Sequence, residues 1–319
     1  MKKKSSAASV ALKLLISLAL LTVIFFKLDC SKAAELFRFS DPAWWAVALL
    51  TTFGAVMISA YKWQLILESQ KVRVTVPMLT SSYFIGLFLN NFLPTSMGGD
   101  VFRAYDVARI SGETPKAIAS VIAERVLAMA TLAVSAVAGL LFGFRMTGRF
   151  AWMVAFFCIG CGLLVWASLD IRWVGHLTRR ISFINTDKIR LNVEEARSAL
   201  QAPVRDRQTL ACVLLLSVVF QAAVVAVHLA VFKALGINAD MLFLMIFVPL
   251  VSAVSMLPIS INGIGVNQGT SIVLYGAVGI SATQATAQSL GFMLIVMLAS
   301  LPGSLLLILR KLNREGPIS

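Results

Sequence analysis

The sequence predicts an all-α polytopic membrane protein, with about six transmembrane helices, two oppositely oriented re-entrant helical hairpins and an inverted repeat. Three observations carry that prediction. Of 319 residues, 59% are hydrophobic and 13% charged, and the mean hydropathy is +0.86. A soluble chain is nearer half apolar and a quarter charged. The apolar residues run in long unbroken stretches, unlike the short alternating segments of a membrane β-barrel. Two further apolar stretches stop at closely similar proline–glycine breaks. This composition excludes a disordered chain, a secreted disulfide scaffold and a soluble enzyme.

A helix needs about 20 mostly apolar residues to cross the hydrocarbon core. Six segments meet this: 9–26, 44–67, 117–144, 150–169, 209–235 and 283–309. Lys2, Lys3 and Lys4 ahead of the first resemble the start of a signal peptide. Lys27 arrives before any small-residue cleavage site, so the segment reads as an uncleaved first span. Cys158 and Cys161 form a C-x-x-C inside the fourth segment, where a zinc or redox site would be hard to solvate; helix packing is the expected role. No metal cluster and no cofactor are expected.

The two remaining apolar stretches behave differently. Residues 78–93 stop at Leu93-Pro94-Thr95-Ser96-Met97-Gly98-Gly99-Asp100. Residues 241–257 stop at Leu257-Pro258-Ile259-Ser260-Ile261-Asn262-Gly263-Ile264-Gly265. Both follow the pattern Leu-Pro-x-Ser-x-(Gly/Asn)-Gly. Proline and glycine together break a helix and free its backbone groups. At membrane depth such breaks survive only within protein or beside a water-filled cavity. Each stretch is therefore read as a re-entrant hairpin returning to its own side. The chain becomes a single membrane domain over 1–319. Repeat 1 spans about 44–144 with its hairpin at 78–110, and repeat 2 about 209–309 with its hairpin at 241–280. A cytoplasmic basic loop at 170–208, containing a surface helix around Val193–Leu200, joins them.

The formal net charge of +13 would suggest nucleic acid in a soluble protein. Between membrane spans it reads as the positive-inside bias and contact with anionic lipid, so no nucleic-acid partner is expected. With the N-terminus in the cytoplasm and both broken segments re-entrant, 19 Lys and Arg fall inside. Only Lys27, Lys32, Arg38, Arg145, Arg149 and Lys233 fall outside. The expected location is the cell (inner, cytoplasmic) membrane, with both termini cytoplasmic. The two hairpins then enter from opposite sides, a recurring plan of secondary transporters.

The run Asn90-x-x-Leu-Pro-x-x-x-Gly-Gly-Asp100-x-x-Arg103 resembles the large family of flippase-like membrane domains. So do Glu124-Arg125, the Leu-Pro-x-Ser-x-x-Gly-x-Gly stretch at 257–265, and Leu301-Pro302-Gly303. The type member is the membrane half of bacterial lysyl-phosphatidylglycerol synthase. The resemblance covers about residues 10–312, and a stand-alone membrane domain without the soluble synthase domain is expected. It implies movement of a lipid or glycolipid head group between leaflets. One position departs from the family pattern: an acidic residue is usual after the second break, and here the residues are Val266-Asn267-Gln268. Gln268 removes a proton carrier or cation partner, which weighs against a cationic head group.

Asp100 and Arg103 share a helical face with Asp106 close by, either lining a head-group cavity or forming a local ion pair on an interfacial helix. Glu124 and Arg125 lie inside a span, where ionisable groups are costly and usually paired. They read either as functional groups or as a structural salt bridge to Lys62 or Asp100. Lys62 itself sits near a span end, where snorkelling is expected. Ser217, Gln221 and His228 form one stripe, suited to interhelical hydrogen bonds or to cavity lining. The substrate-facing set expected from these readings is Asn90, Ser96, Gly98, Gly99, Asp100, Arg103, Glu124, Arg125, Ser260, Asn262, Gly263, Gly265, Asn267 and Gln268.

The expected function is a flippase-like transporter for a phospholipid or lipid-linked head group, with no catalytic residues. The expected ligands are anionic phospholipid or a polyprenyl-phosphate-linked head group. Alternatives are an integral-membrane transferase on a lipid-linked substrate and a non-catalytic membrane partner of a lipid or glycan biosynthetic enzyme. A homo-oligomer or such an enzyme would be the protein partner. No Walker A, Gly-x-Ser-x-Gly or His-Glu-x-x-His pattern occurs, so ATP-driven pumping by this chain alone is not expected.

Overall fold

Long apolar runs bounded by aspartate caps set the first and last thirds of the bundle. The computed structural model describes residues 30–92, 98–142, 187–256 and 263–312, with parts of 152–163. The helices are α1 (Cys30–Arg38), α2 (Pro42–Ser69), α3 (Val76–Phe92), α4 (Gly98–Ser111), α5 (Thr114–Phe142), α6 (Asp187–Arg205), α7 (Arg207–Ala234), α8 (Met241–Met256), α9 (Val266–Gly276) and α10 (Ala282–Leu312). Among the described residues the regular structure is all helical. Four helices are long and apolar enough to span a membrane: Pro42–Ser69, Thr114–Ser135, Arg207–Ala234 and Ala282–Arg310. The protein is thus a multi-pass membrane protein. The expected first span at 9–26 lies outside the described residues, as does most of 150–169.

Two quartets of helices follow one another in the same order, long, short, short, long: α2 to α5, then α7 to α10. Their leading helices are built alike. Asp41 caps α2 by accepting from the Ala43 N–H at 2.8 Å, and Asp206 caps α7 by accepting from Gln208 at 3.2 Å. Both helices end in the same turn. The Val72 N–H reaches the Leu67 carbonyl and the Ile237 N–H reaches Phe232, each at 2.9 Å. Lys71 and Gly236 hold the left-handed position of that turn, at φ 62° and 67°. Only the second is a glycine. A left-handed L residue costs roughly 1–2 kcal/mol, and glycine's looser unfolded chain returns part of it. Lys71→Gly is therefore expected to raise stability by about 1 kcal/mol. Thermal denaturation in detergent checks this, and a lowered midpoint would contradict it.

The quartets pair across the molecule. Helix α2 runs antiparallel to α7: the Asp41 N–H donates to the Ala234 carbonyl at 2.9 Å, and Lys62 lies over the Phe220 ring. Helix α10 runs antiparallel to α3, with Arg310 beside Met78, Gly303 against Phe84 and Asn91 beside Val296. Helix α8 packs on α5. Within each quartet the two short helices fold back on each other. Ser82 bonds Asp106 and Asn90 bonds Gly99 in the first, and Phe247 meets Tyr275 in the second.

Each quartet closes its own apolar core. One gathers Trp63, Leu67, Leu79, Val107 and Val121, and the other Phe232, Phe247, Leu274, Tyr275 and Ile295. The end of α2, the start of α3, α6 and the end of α10 share one face of the bundle. Gln70 donates to the Ala199 carbonyl at 3.1 Å, and Arg310 pairs with Asp106 at 2.5 Å. The surface helix expected in the basic loop is α6. It is longer than expected and docks on protein, burying Ala199 and Leu200 against Ile66, Ala119 and Ala123. Cys158 packs in the membrane region with its thiol directed at the Ala133 carbonyl, 3.8 Å away; Cys161 lies outside the described residues.

Candidate functional site

A cluster of charged side chains sits inside the first quartet, at a depth that the helix itself measures. Arg125 lies eleven positions beyond Thr114. At 1.5 Å per residue it stands about 16 Å along α5 from that helix's start. Glu124 is the hub. It accepts from Arg103 Nη2 and from the Tyr83 hydroxyl at 2.6 Å, and it faces Lys62 Nζ at 3.8 Å. Its side chain is 6% exposed, Arg103's 4% and Lys62's 3%.

Arg103 is gripped by more than its carboxylates. Its guanidinium lies 4.2 Å from the Trp63 ring centroid and 3.8 Å from that of Tyr83. Such stacking adds about 2 kcal/mol when desolvated. Trp63 is fixed in turn by donating its indole N–H to Ser120 at 2.9 Å. The guanidinium also reaches Asp100 at 3.4 Å. Asp100 then passes the chain outward, accepting from Arg125 Nε at 2.9 Å and Nη2 at 2.7 Å. Arg125 ends the network with its side chain 41% exposed. These five groups comprise three cations and two carboxylates, so one positive charge is in surplus. It is reachable at Arg125.

The network opens on a cavity of about 250 Å³ between the quartets. Thr52, Ser59, Asn90, Asp100, Arg103 and Arg125 face it from the first quartet. Phe220, Val224, Phe292 and Val296 face it from the second. The charged and polar groups therefore come from the first quartet, beside its own Ala55, Val56 and Leu87, and the second quartet contributes apolar side chains.

The close approach of α3 and α4 that aligns this wall depends on missing side chains. A Cβ on Gly99 would stand 2.0 Å from the Gly86 carbonyl oxygen. Asn90 also accepts from the Gly99 N–H at 2.7 Å, satisfying one of the donors that the break frees. Gly99→Ala is expected to cost about 1–3 kcal/mol by overpacking. An unchanged thermal midpoint would contradict that. Gly303 has the same role on α10, where a Cβ would lie 2.1 Å from the Phe84 carbonyl oxygen.

Of the residues expected to face substrate, Asn90, Asp100, Arg103 and Arg125 line the cavity. Gly98 and Gly99 start α4 beside it, and Glu124 lies just behind it. The second break is a different matter. Ser96, Ser260 and Asn262 lie outside the described residues. Gly263, Gly265, Asn267 and Gln268 line neither this cavity nor the larger groove between α4 and α5. Gln268 is 1% exposed and accepts from the Gly265 N–H at 2.8 Å, so its amide oxygen closes the start of α9. Lys62 does not snorkel; Glu124 draws it inward. Asp106 turns away from the cavity to Ser82 and Arg310. The Ser217, Gln221 and His228 stripe is buried, and His228 meets Gln288 at 2.8 Å and stacks on Phe292.

Trp63, Tyr83, Thr52, Ser59 and Phe220 were not expected here. The only advance signal is the aromatic–cation pair Lys62-Trp63 within an apolar span.

The family described as the lysylphosphatidylglycerol synthase TM region matches residues 10–303. A UPF0104 membrane protein of Methanothermobacter thermautotrophicus is 21% identical over 301 residues, covering 87% of this chain and 88% of the relative. A UPF0104 membrane protein of Pyrococcus horikoshii is 21% identical over 303 residues, covering 86% and 89%. No solved structure matches.

Proposed function

The chain belongs to the lysylphosphatidylglycerol synthase transmembrane-region family, and from that membership we propose that it moves a phospholipid or lipid-linked head group between membrane leaflets. The observation that carries this reading is the one-sided cavity. A space between two helix quartets carries polar groups on one side that end in one reachable guanidinium. A head group crossing a bilayer needs such a place, because its charge is otherwise stranded in hydrocarbon.

In this reading the two quartets are inverted repeats, and their short helix pairs are re-entrant hairpins. The antiparallel pairing of α2 with α7 supports it, as do the matching caps and turns of those helices. The face carrying α6 and the ends of α2 and α10 is the cytoplasmic one of an inner membrane, as the distribution of Lys and Arg supports. Transport proceeds as a rocking of one quartet against the other about the cavity. Arg125 meets the phosphate, since guanidinium pairs bidentately with phosphate oxygens. Arg103, Glu124, Lys62 and Tyr83 hold Asp100 and Arg125 in position. Among the described residues the carboxylate on the cavity wall, Asp100, is already paired with Arg103 and Arg125, which disfavours a cationic head group.

The test is a vesicle assay. Purified protein is reconstituted with fluorescent phosphatidylglycerol, phosphatidylcholine or a polyprenyl phosphate, and transbilayer movement is followed by quenching of the outer leaflet. Faster movement of an anionic lipid than in protein-free vesicles is the expected result. A folded sample that accelerates none of the three would end the proposal. Product formation from a lipid-linked donor by the purified protein would favour the transferase alternative.

A further inference from the structure

A second and larger cavity, of about 790 Å³, lies on the outer side of the same charged wall. It is a groove between α4 and α5, which run antiparallel. Asp100 and Arg125 line both this groove and the inner cavity, so their ion pair stands where the two spaces meet. Beyond them the groove walls are apolar, built from Val101, Tyr105, Ile118 and Ile122 with Ala104 at the base. Val101 is 67% exposed and Tyr105 59%, so no helix among the described residues covers them. Arg109 and Thr114 close the far end, at the turn between the two helices.

We propose that this groove is the lateral way in for a singly anionic phospholipid, its hydrocarbon chain lying between α4 and α5 and its phosphate taken by Arg125 from Asp100. This rests on the transport reading above and names the substrate class and route for that site. The chemistry of the groove selects its occupant. A water-soluble anion would gain nothing from the apolar walls. A neutral hydrocarbon would have no use for Arg125. An extended peptide would leave backbone N–H and C=O groups unpaired against the apolar side chains of Val101, Ile118 and Ile122. A molecule with an apolar arm and one phosphate meets both halves of the surface.

Charge complementarity fixes the rest. The five-membered cluster of Lys62, Asp100, Arg103, Glu124 and Arg125 carries one surplus positive charge, and one phosphodiester neutralises it. A phosphate that replaces Asp100 on Arg125 offers two oxygens to the Nε and Nη2 donors, which in the pair with Asp100 share the single Oδ2. The head group then passes from groove to cavity while the chain stays in the bilayer. Asp100 retains Arg103 throughout.

Photo-crosslinking tests this. The full chain is placed in phosphatidylcholine vesicles doped with either phosphatidylglycerol or phosphatidylcholine carrying a diazirine in the acyl chain, and adducts are mapped by mass spectrometry. Leu215 and Leu305, 65% and 59% exposed on α7 and α10, are the reference positions for bulk lipid. The phosphatidylglycerol probe is expected to label Val101, Ile118 and Ile122 roughly tenfold more than the phosphatidylcholine probe, with no preference at the reference positions. Ile122→Trp, which fills the groove without altering Asp100 or Arg125, is expected to remove that excess at Val101. Equal labelling by both probes at groove and reference positions would overturn the proposal, as would an excess that survives Ile122→Trp. Selective groove labelling by a protein that moves no lipid would keep the groove and defeat transport. Lipid movement with uniform labelling would keep transport and defeat the groove.

Discussion

Glu124→Gln is expected to destabilise the protein by about 3–5 kcal/mol, the range for breaking one side of a buried ion pair. Glu124 accepts from Arg103 and Tyr83 and forms an ion pair with Lys62. Replacing it leaves the Arg103 and Lys62 cations in a nearly waterless interior with only Asp100 near them. The amide can still accept from Tyr83 but brings no charge. Part of the loss comes from the stranded cations, so Glu124→Gln combined with Lys62→Met should recover a share of it. A thermal or denaturant midpoint in detergent measures both variants. A single variant as stable as the parent would show that the network is not what holds α4 against α5.

Arg125→Gln is expected to separate function from folding. The Arg125 side chain is 41% exposed and pairs only at the rim of the network, where an ion pair contributes about 0–1 kcal/mol. Its thermal midpoint should therefore stay near that of the parent. Lipid movement should fall at least tenfold, about 1.4 kcal/mol of lost interaction with the phosphate. Arg125→Lys should recover part of the rate, because it restores charge without the bidentate fork. Parent-like movement of anionic lipid by Arg125→Gln would remove Arg125 from the route. A collapse in stability would instead make it a structural residue.

These two variants pull apart what the sequence could not. The membrane class, the four long helices and both breaks are legible from the chain alone, because long apolar runs and proline–glycine interruptions are local signals. The order of helices follows from them. So do Lys62 and Asp100 as partners for Glu124 and Arg125, since few other charges lie at that depth. What is not legible is direction. A lysine near the end of a span reads as snorkelling, and only the packing of α2 on α5 turns Lys62 inward. Asp106 reads as close to the face shared by Asp100 and Arg103, but its partner Arg310 comes from the far end of the chain and draws it away. The symmetry of the two breaks suggested matching ligand sites. The second quartet's long and short helices carry no charged group between Thr209 and Phe232 or between Met241 and Leu309. Its contribution to the cavity is an apolar wall, with Gln268 spent on the backbone of its own helix.

Density for a bound lipid tests the account most directly. An experimental map of the full chain in nanodiscs containing phosphatidylglycerol should show a phosphate within hydrogen-bonding distance of the Arg125 guanidinium, in the space between the two quartets. Phosphates confined to the membrane surfaces, with that space closed by side chains, would contradict it.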